Sequence, residues 1–279
     1  MIEHNYSGPV SKLLTLGGPD DGRGWLDYQK MGITRSDIPE LIRLLNDKEL
    51  RWMESPADLP EDDDLPEWYG QIHAWRALAQ LKAEEAIPAL LNNLQEIDEH
   101  FDDWYGEDSI EVFTMIGPAA IPPLAEYLAN TEHGTWARVA ASASLEKMAK
   151  EYPDTKGDCV TAIVDALGSY KDNDVSLNGS LISDLVQMDA ARENLDLIEQ
   201  AFKSGNVDEF VDGDFEDIQI KLGLREKRSK PRLDPFFFKG DRMVMDKSHP
   251  FLRNETKKMK NDKSKRKQEK KSRKRNRKR

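Results

Sequence analysis

The sequence predicts an all-α fold: a right-handed α-solenoid of about five helical hairpins over residues 31–224, followed by a disordered basic C-terminal tail. Three observations carry this reading. A Trp-Tyr-Gly triplet occurs twice, at 68–70 and 104–106, each copy followed by an Ile-Pro pair, at 87–88 and 121–122. Apolar residues recur at helical spacing through most of the chain, and no Val/Ile/Thr alternation of any length marks a strand.

The elements follow in order. Residues 1–30, rich in Gly, Pro and Asp, read as an irregular lead-in. In Asp37–Leu45 the apolar residues Ile38, Leu41, Ile42 and Leu45 fall at i, i+3, i+4 and i+7, one face of a helix. Asp37 suits its N-cap and Pro39 its first turn. Residues 55–67 form an acidic, proline-punctuated loop. In each repeat copy a first helix, about 71–81 and about 108–116, precedes a second that opens on Ile-Pro, where the missing proline N–H is not needed.

Fainter copies follow: a small-residue helix from Trp136 to Lys150 and one over about 157–168, then helices over Ser180–Gln187 and Glu193–Ser204. Anchors for the second helix of each pair are placed at Ile38, Ile87, Ile121, Ile163 and Ile198, spaced 49, 34, 42 and 35 residues. A period of this size with two helices per unit is that of an α-solenoid. Asp208–Asp217, with interleaved Phe210, Val211 and Phe215, reads as a polar cap of the array, and Ile218–Leu224 as a last helix stopped by Gly223. Residues 225–252 read as a linker with two short apolar islands, Pro235–Phe238 and Met243–Met245. Residues 253–279 contain almost no apolar side chain and are expected to be disordered.

Charge sharpens this division. The 279-residue chain has a formal net charge of −11. Residues 253–279 alone hold 16 Lys/Arg against three acids, a net of +13, which leaves −24 for residues 1–252. Hydrophobic content of 38% is low for a compact enzyme and suits a surface-rich array. One cysteine, Cys159, excludes an intrachain disulfide framework and a cysteine-based zinc cluster. No apolar run approaches the ~18 residues of a membrane span. With no secretion signal at the start, the expected compartment is cytoplasmic, with no membrane partner.

Motifs that could carry chemistry are weak. Asp174-Val-Ser-Leu-Asn-Gly179 matches the opening of a calcium loop, but position 12, which requires a bidentate Glu, is Leu185. An inter-helix turn through Asn178-Gly179 accounts for it better. Glu96 and His100, with Asp103 nearby, could face a metal, against the simpler reading of a solvated acidic turn. Cys159 sits where a helix buries it. Neither a nucleophile elbow nor a phosphate loop is present, so no catalytic, metal or cofactor residue is assigned.

The sharpest candidate is the acidic loop beside each Trp-Tyr-Gly: Glu61, Asp62, Asp63 and Asp64 with Trp68 and Tyr69, and Asp98, Asp102 and Asp103 with Trp104 and Tyr105. Acids beside an exposed aromatic suit a basic peptide. The competing reading, which the sequence favours for the Trp rings, packs each over its own repeat. The basic tail, represented by Lys263, Lys265, Arg266, Lys267, Lys270, Lys271, Arg273, Lys274 and Arg275, admits three readings: non-specific nucleic-acid binding, a latch onto an acidic body, or a solubilising end.

His73-Ala-Trp-Arg-Ala-Leu78, Gly117-Pro-Ala-Ala-Ile-Pro122 and Val207–Asp217 give residues about 35–224 a resemblance to bacterial HEAT-like repeat proteins, including the phycobilisome-lyase type. The chain is also similar to an uncharacterised group that often ends in a SEC-C zinc motif, whose cysteines are absent from this tail. The resemblance implies a HEAT-like array and, from its lyase members, a lyase or chaperone-like factor for tetrapyrrole-binding proteins. The leading expectation is a non-catalytic protein-binding scaffold with an acidic surface; the alternative is nucleic-acid or ribosome association through the tail.

Overall fold

The computed structural model describes residues 5–18, 24–51, 65–100 and 102–229, together with the backbone of 236–239 and 242–245. The helices are α1 (Gly8–Leu13), α2 (Ile38–Leu45), α3 (Lys48–Arg51), α4 (Gly70–Gln80), α5 (Ile87–His100), α6 (Asp103–Ile116), α7 (Ile121–Ala129), α8 (Thr135–Glu151), α9 (Lys156–Gly168), α10 (Val175–Gln187), α11 (Leu195–Ser204), α12 (Glu209–Asp212) and α13 (Phe215–Lys221). They form an all-α helical-repeat array. Beyond it, β1 (Phe236–Lys239) pairs antiparallel with β2 (Arg242–Met245), Phe236 opposite Met245, so the two apolar islands read from the sequence face each other across a hairpin.

One junction recurs. A three-residue 3₁₀ turn runs directly into the second helix of a pair: Arg35–Asp37 into α2, Glu84–Ala86 into α5, Pro118–Ala120 into α7 and Pro153–Thr155 into α9. In α2, α5 and α7 the helix then opens on Ile-Pro, whose ring fixes a helical φ where no N–H is required. In the fourth pair the proline sits in the 3₁₀ turn and Lys156 opens the helix. Ile163 is therefore an interior core residue of α9, not the equivalent of Ile121, and Ile198 likewise lies three residues into α11. The second helices start at 38, 87, 121, 156 and 195, so the later spacings are 35 and 39 where the sequence reading had 42 and 35.

The helices lie in two rows. Helices α4, α6, α8 and α10 pack side by side in one, and α2, α5, α7, α9 and α11 in the other, with α2 on α4, α5 on α6, α7 on α8 and α9 on α10 between the rows. Leu78, Leu90, Phe113, Leu124, Leu145, Ile163, Leu181 and Ile198 run through the interior as one continuous core. Each such side chain contributes ~1.5–3 kcal/mol when fully buried. Successive units pack on one another and α5 also reaches α8 two units on, so the array depends on what joins its units.

In the first row those joints are polar. Between α4 and α6, Asp108 accepts from Trp75 Nε1 at 2.7 Å and from Arg76 Nε and Nη2 at 2.5 and 2.9 Å. Between α6 and α8, Lys147 pairs with Glu111. Between α8 and α10, Ser142 donates to Asp184 at 2.5 Å. Asp184 is buried, which pushes its carboxyl up to about 7 despite the Ser142 bond.

Within the first 30 residues, 5–18 and 24–30 are more structured than their composition predicts. Val10, Leu13, Leu14 and Tyr28 are core residues, and Tyr28 Oη and the Gly17 carbonyl hold the two ring nitrogens of His73 at 2.8 and 3.0 Å. A six-residue helix is too short to show a period, and its stability comes from α4, where a Cβ at Gly70 would lie 2.6 Å from Leu14 Cδ2. Asn178-Gly179 is not a turn: both residues lie inside α10, and Asp174 is its N-cap, which removes the calcium-loop geometry altogether.

Two outcomes test these joints. Asp108→Ala leaves Arg76 buried without its carboxylate and is expected to cost ~3–5 kcal/mol in denaturant unfolding, whereas Arg76→Met with Asp108→Leu recovers much of it. Asp184 holds its proton up to about 7 in the fold, against 3.8 for an ordinary Asp, so the folded state binds more protons across that window and stability falls as pH rises through it. Asp184→Asn is expected to flatten that slope in melts taken from pH 4 to 8.

Candidate functional site

Three helix N-termini converge on one face of the array, and each is capped by an aspartate. Asp98, from α5, accepts the Trp136 and Ala137 N–H groups of α8 at 3.0 and 2.8 Å. Asp174 accepts from Ser176 N at 2.9 Å at the start of α10. Asp208 accepts from Phe210 N at 3.0 Å at the start of α12 and from Ser176 Oγ at 3.3 Å. Asp98 reaches across from another repeat only because residue 134 is glycine: a Cβ there would overlap the Asp98 carboxyl.

Between these caps lies an open cleft of about 870 Å³, lined by Asp98, His133, Trp136, Asp172, Asp174 and Asp208 among others. Its floor is tied together by hydrogen bonds. Arg138 donates to Leu128 O at 2.8 Å and Asn173 Oδ1 at 3.1 Å, and Asn173 donates to Asn178 Oδ1 at 3.0 Å. Asn178 and Asn206 donate in turn to the Tyr170 carbonyl at 2.8 and 2.7 Å.

The electrostatic balance is negative. Four carboxylates face one guanidinium, that of Arg138, among the lining residues. The N-termini of α8 and α10 offset about half a charge each, which leaves a net negative site. His133 adds little positive charge, because burial and Arg138 both push its pKa down while its ring stacks on Tyr127 at 3.7 Å.

Trp136 is 51% exposed, the most exposed large apolar side chain among the described residues. It borders the cleft on one side. On the other it borders an apolar slot of about 390 Å³ formed with Ile97, Gly106, Ile110, Val139, Ala140 and Ala143. An aromatic ring between an acidic cleft and an apolar slot can bind a segment that carries both a cation and an apolar side chain.

The acidic-aromatic candidates read from the sequence are divided by the structure. Tyr105 is fully buried and donates its hydroxyl to Leu90 O at 2.7 Å, so its ring is core. Asp102 is also buried: it caps α6 through Tyr105 N at 3.1 Å and pairs with Arg51, so it is no surface acid. Trp68 and Tyr69 are half-buried, and Tyr69 packs against Gly18. Trp104 is 36% exposed, and the two triplets differ locally, since Trp68 lies in a 3₁₀ turn and Trp104 in the first turn of α6. Of the acids, Asp98 belongs to the cleft. Glu61, Asp62, Asp63 and Asp64, the Asp103 side chain and the tail residues from Lys263 to Arg275 lie outside the described residues.

At the end of α5, Glu99 and His100 are exposed as a solvated acidic end would be, but Glu96 is not. Glu96 is 1% exposed and pairs with Lys48 and, at 3.5 Å, with His100. Ligand atoms of Glu96, Glu99 and His100 lie within 4.8 Å of one another, but Glu96 is already partnered by the lysine. The Asp208–Asp217 cluster is also engaged internally, since Asp214 and Asp217 cap α13 and pair with Arg228. Burial raises the Cys159 thiol pKa.

Sequence reasoning missed Trp136, Asp172 and Asp174 as a group. A signal was present: the helix from Thr135 carries one stripe at Ala137, Ala141, Leu145 and Met148 and a second at Trp136, Val139, Ala140 and Ala143. Two stripes on one helix mean two faces to cover, and only the first is buried throughout.

Fold and site define an all-α helical-repeat protein with an acidic cleft at the converging ends of three helices. The chain belongs to the family described as protein of unknown function DUF1186, whose family model matches residues 31–234. Neither the curated proteins nor the solved structures include a match. Among the described residues, no single helix is long and apolar enough to cross a membrane.

The borrowed cap gives a prediction for the site's frame. Gly134→Ala is expected to displace Asp98 and lose at least ~1 kcal/mol of stability in urea unfolding. In an Asp98→Ala background the same substitution should cost much less, because the cap it disturbs is already gone.

Proposed function

We propose that this protein is a non-catalytic binding scaffold that receives a basic, partly apolar segment of another protein. The array is read as HEAT-like, a solenoid whose rigid neighbouring units hold a site at fixed spacing without needing to move. Lys or Arg side chains of the partner lie along Asp172 and Asp174, and an apolar side chain enters the slot beside Trp136. The observation that carries this reading is the position of Trp136, exposed between four carboxylates on one side and an apolar slot on the other. The hydrogen-bonded asparagine floor favours it too, because side chains already held in place lose less entropy on binding.

A second reading has its own observation. The +13 balance of residues 253–279 suits phosphate neutralisation, with Lys263 to Arg275 as the contacts. No aromatic residue is interleaved there, so base-specific readout is not part of it.

The scaffold reading is tested with a synthetic peptide carrying one Phe and several Lys residues, titrated against Trp fluorescence. Trp136→Ala is expected to weaken binding ~3- to 30-fold, the range of a cation–π contact at a partly desolvated site. Asp172→Lys, at an exposed residue outside the caps, should weaken it as well, and added salt should lower the affinity further. Equal affinity for wild type and both variants would sink the reading.

A further inference from the structure

The proposed site accepts a segment with apolar and cationic side chains, and the chain itself contains one. Phe251-Leu252 immediately precedes the run from Arg253 to Arg279, which carries 16 Lys/Arg and three acids. We propose that residues 251–279 occupy the cleft of their own molecule, with Phe251 or Leu252 in the slot beside Trp136 and the basic run along Asp172 and Asp174. A partner then binds by displacing this segment. The inference rests on the scaffold reading of the same site and names the resident occupant.

Charge complementarity is its first support. The segment has a net charge of +13, and the rest of the chain −24. Many of that body's acids are already engaged: Asp102 with Arg51, Asp108 with Arg76, Glu111 with Lys147, and Asp214 and Asp217 with Arg228. Asp172, by contrast, is exposed at the mouth of the cleft. The cleft is a place where negative charge, open volume and an exposed aromatic ring coincide.

Reach is the second support. The array hands the chain over close to the cleft. Ser229 N donates to Glu216 Oε2 at 3.0 Å and Arg228 pairs with Asp214, which holds residues 228–229 on α13. Asp214 lies six residues after the cleft residue Asp208, a span of at most ~22 Å. From Ser229 to Phe251 the chain has 22 residues, of which the hairpin folds ten back on themselves by pairing Phe236 with Met245. The remaining 13 or so steps still extend to ~45 Å, enough to return to the cleft.

Tethering makes the contact effective even if it is weak. A tether of about this length presents its end at an effective concentration on the order of 1 mM. A segment that binds with a Kd of ~100 μM as a free peptide would then occupy its own site most of the time, and an outside competitor would bind about tenfold more weakly than to an empty site.

The experiment compares two full-length chains, wild type and a variant with Phe251→Ser, Leu252→Ser and Gln in place of Lys263, Lys265, Arg266, Lys267, Lys270, Lys271, Arg273, Lys274 and Arg275. A synthetic peptide of residues 251–279 is titrated into each. Binding to the variant about tenfold or more tighter than to wild type is the expected result. Equal binding to both overturns self-occupancy and leaves the scaffold reading standing; binding to neither removes the scaffold reading itself. A second measurement does not depend on the variant. Zero-length amine–carboxyl crosslinking of a mixture of ¹⁴N- and ¹⁵N-labelled wild type should join tail lysines to Asp172 or Asp174 in peptides of a single isotope. Mixed-isotope pairs would overturn occupancy within one molecule in favour of a second copy, and no crosslink at the cleft would overturn it outright.

Discussion

The contact on which the array depends is the buried carboxylate of Asp108. It accepts from the indole of Trp75 and from two nitrogens of Arg76, and in doing so fastens the first full helix pair to the second. Trp75 also packs its ring against Tyr105 at 4.7 Å and carries the Arg51 guanidinium at 5.1 Å, and Arg51 pairs with Asp102. One node therefore links α3, α4 and α6 and fixes the turn before α6. A buried ion pair of this kind adds little net stability over a well-packed apolar pair, but it is costly to break and accepts only one partner geometry. It sets the register of α6 against α4, and every later helix is stacked on that start.

The same economy of carboxylates explains how the cleft arises. Helices that begin at one face of a solenoid leave N–H groups without partners, and aspartate is among the best residues to accept them. Here α8 is capped by Asp98 from a different helix pair, so the cap is also a joint between units. The cap requires glycine at 134, and the chain that follows brings Trp136 out of the first turn into solvent. Cleft and ring are thus a consequence of how α8 is started. Asp174 and Asp208 repeat the device at α10 and α12, and Gly179 lets the Asp208 backbone approach closely, since a Cβ there would lie 2.9 Å from its carbonyl.

The fold was largely legible in the sequence because its signals are local. Ile-Pro after a short turn, the i, i+3, i+4 face of Ile38–Leu45 and Gly223 in left-handed conformation after α13 each act within a few residues. What escaped depends on distant contacts. Helix α1 is held by α4, and nothing within Gly8–Leu13 announces it. Asn178-Gly179 has turn chemistry, yet Asn173, Tyr170 and Asn206 satisfy its polar groups and allow a helix to run through it. The fourth repeat was misaligned by the search for an isoleucine, where the feature shared with the earlier pairs is the 3₁₀ turn, which Pro153-Asp154-Thr155 forms without one; before α11 a plain turn at 191–194 takes its place.

The candidate site was legible only in its chemistry. Of the acidic and aromatic residues picked by proximity in sequence, Asp98 lines the cleft, whereas Asp102 and Tyr105 are buried. A carboxylate near a tryptophan in the chain can be drawn inward by an arginine that arrives from elsewhere, as Asp102 is by Arg51. The number of acids in a segment therefore says little about the charge it presents to a partner. What matters is which of them remain facing solvent after the caps and ion pairs have been formed. Around Trp136 that leaves Asp172 as the exposed carboxylate, because Asp98, Asp174 and Asp208 are already engaged as caps.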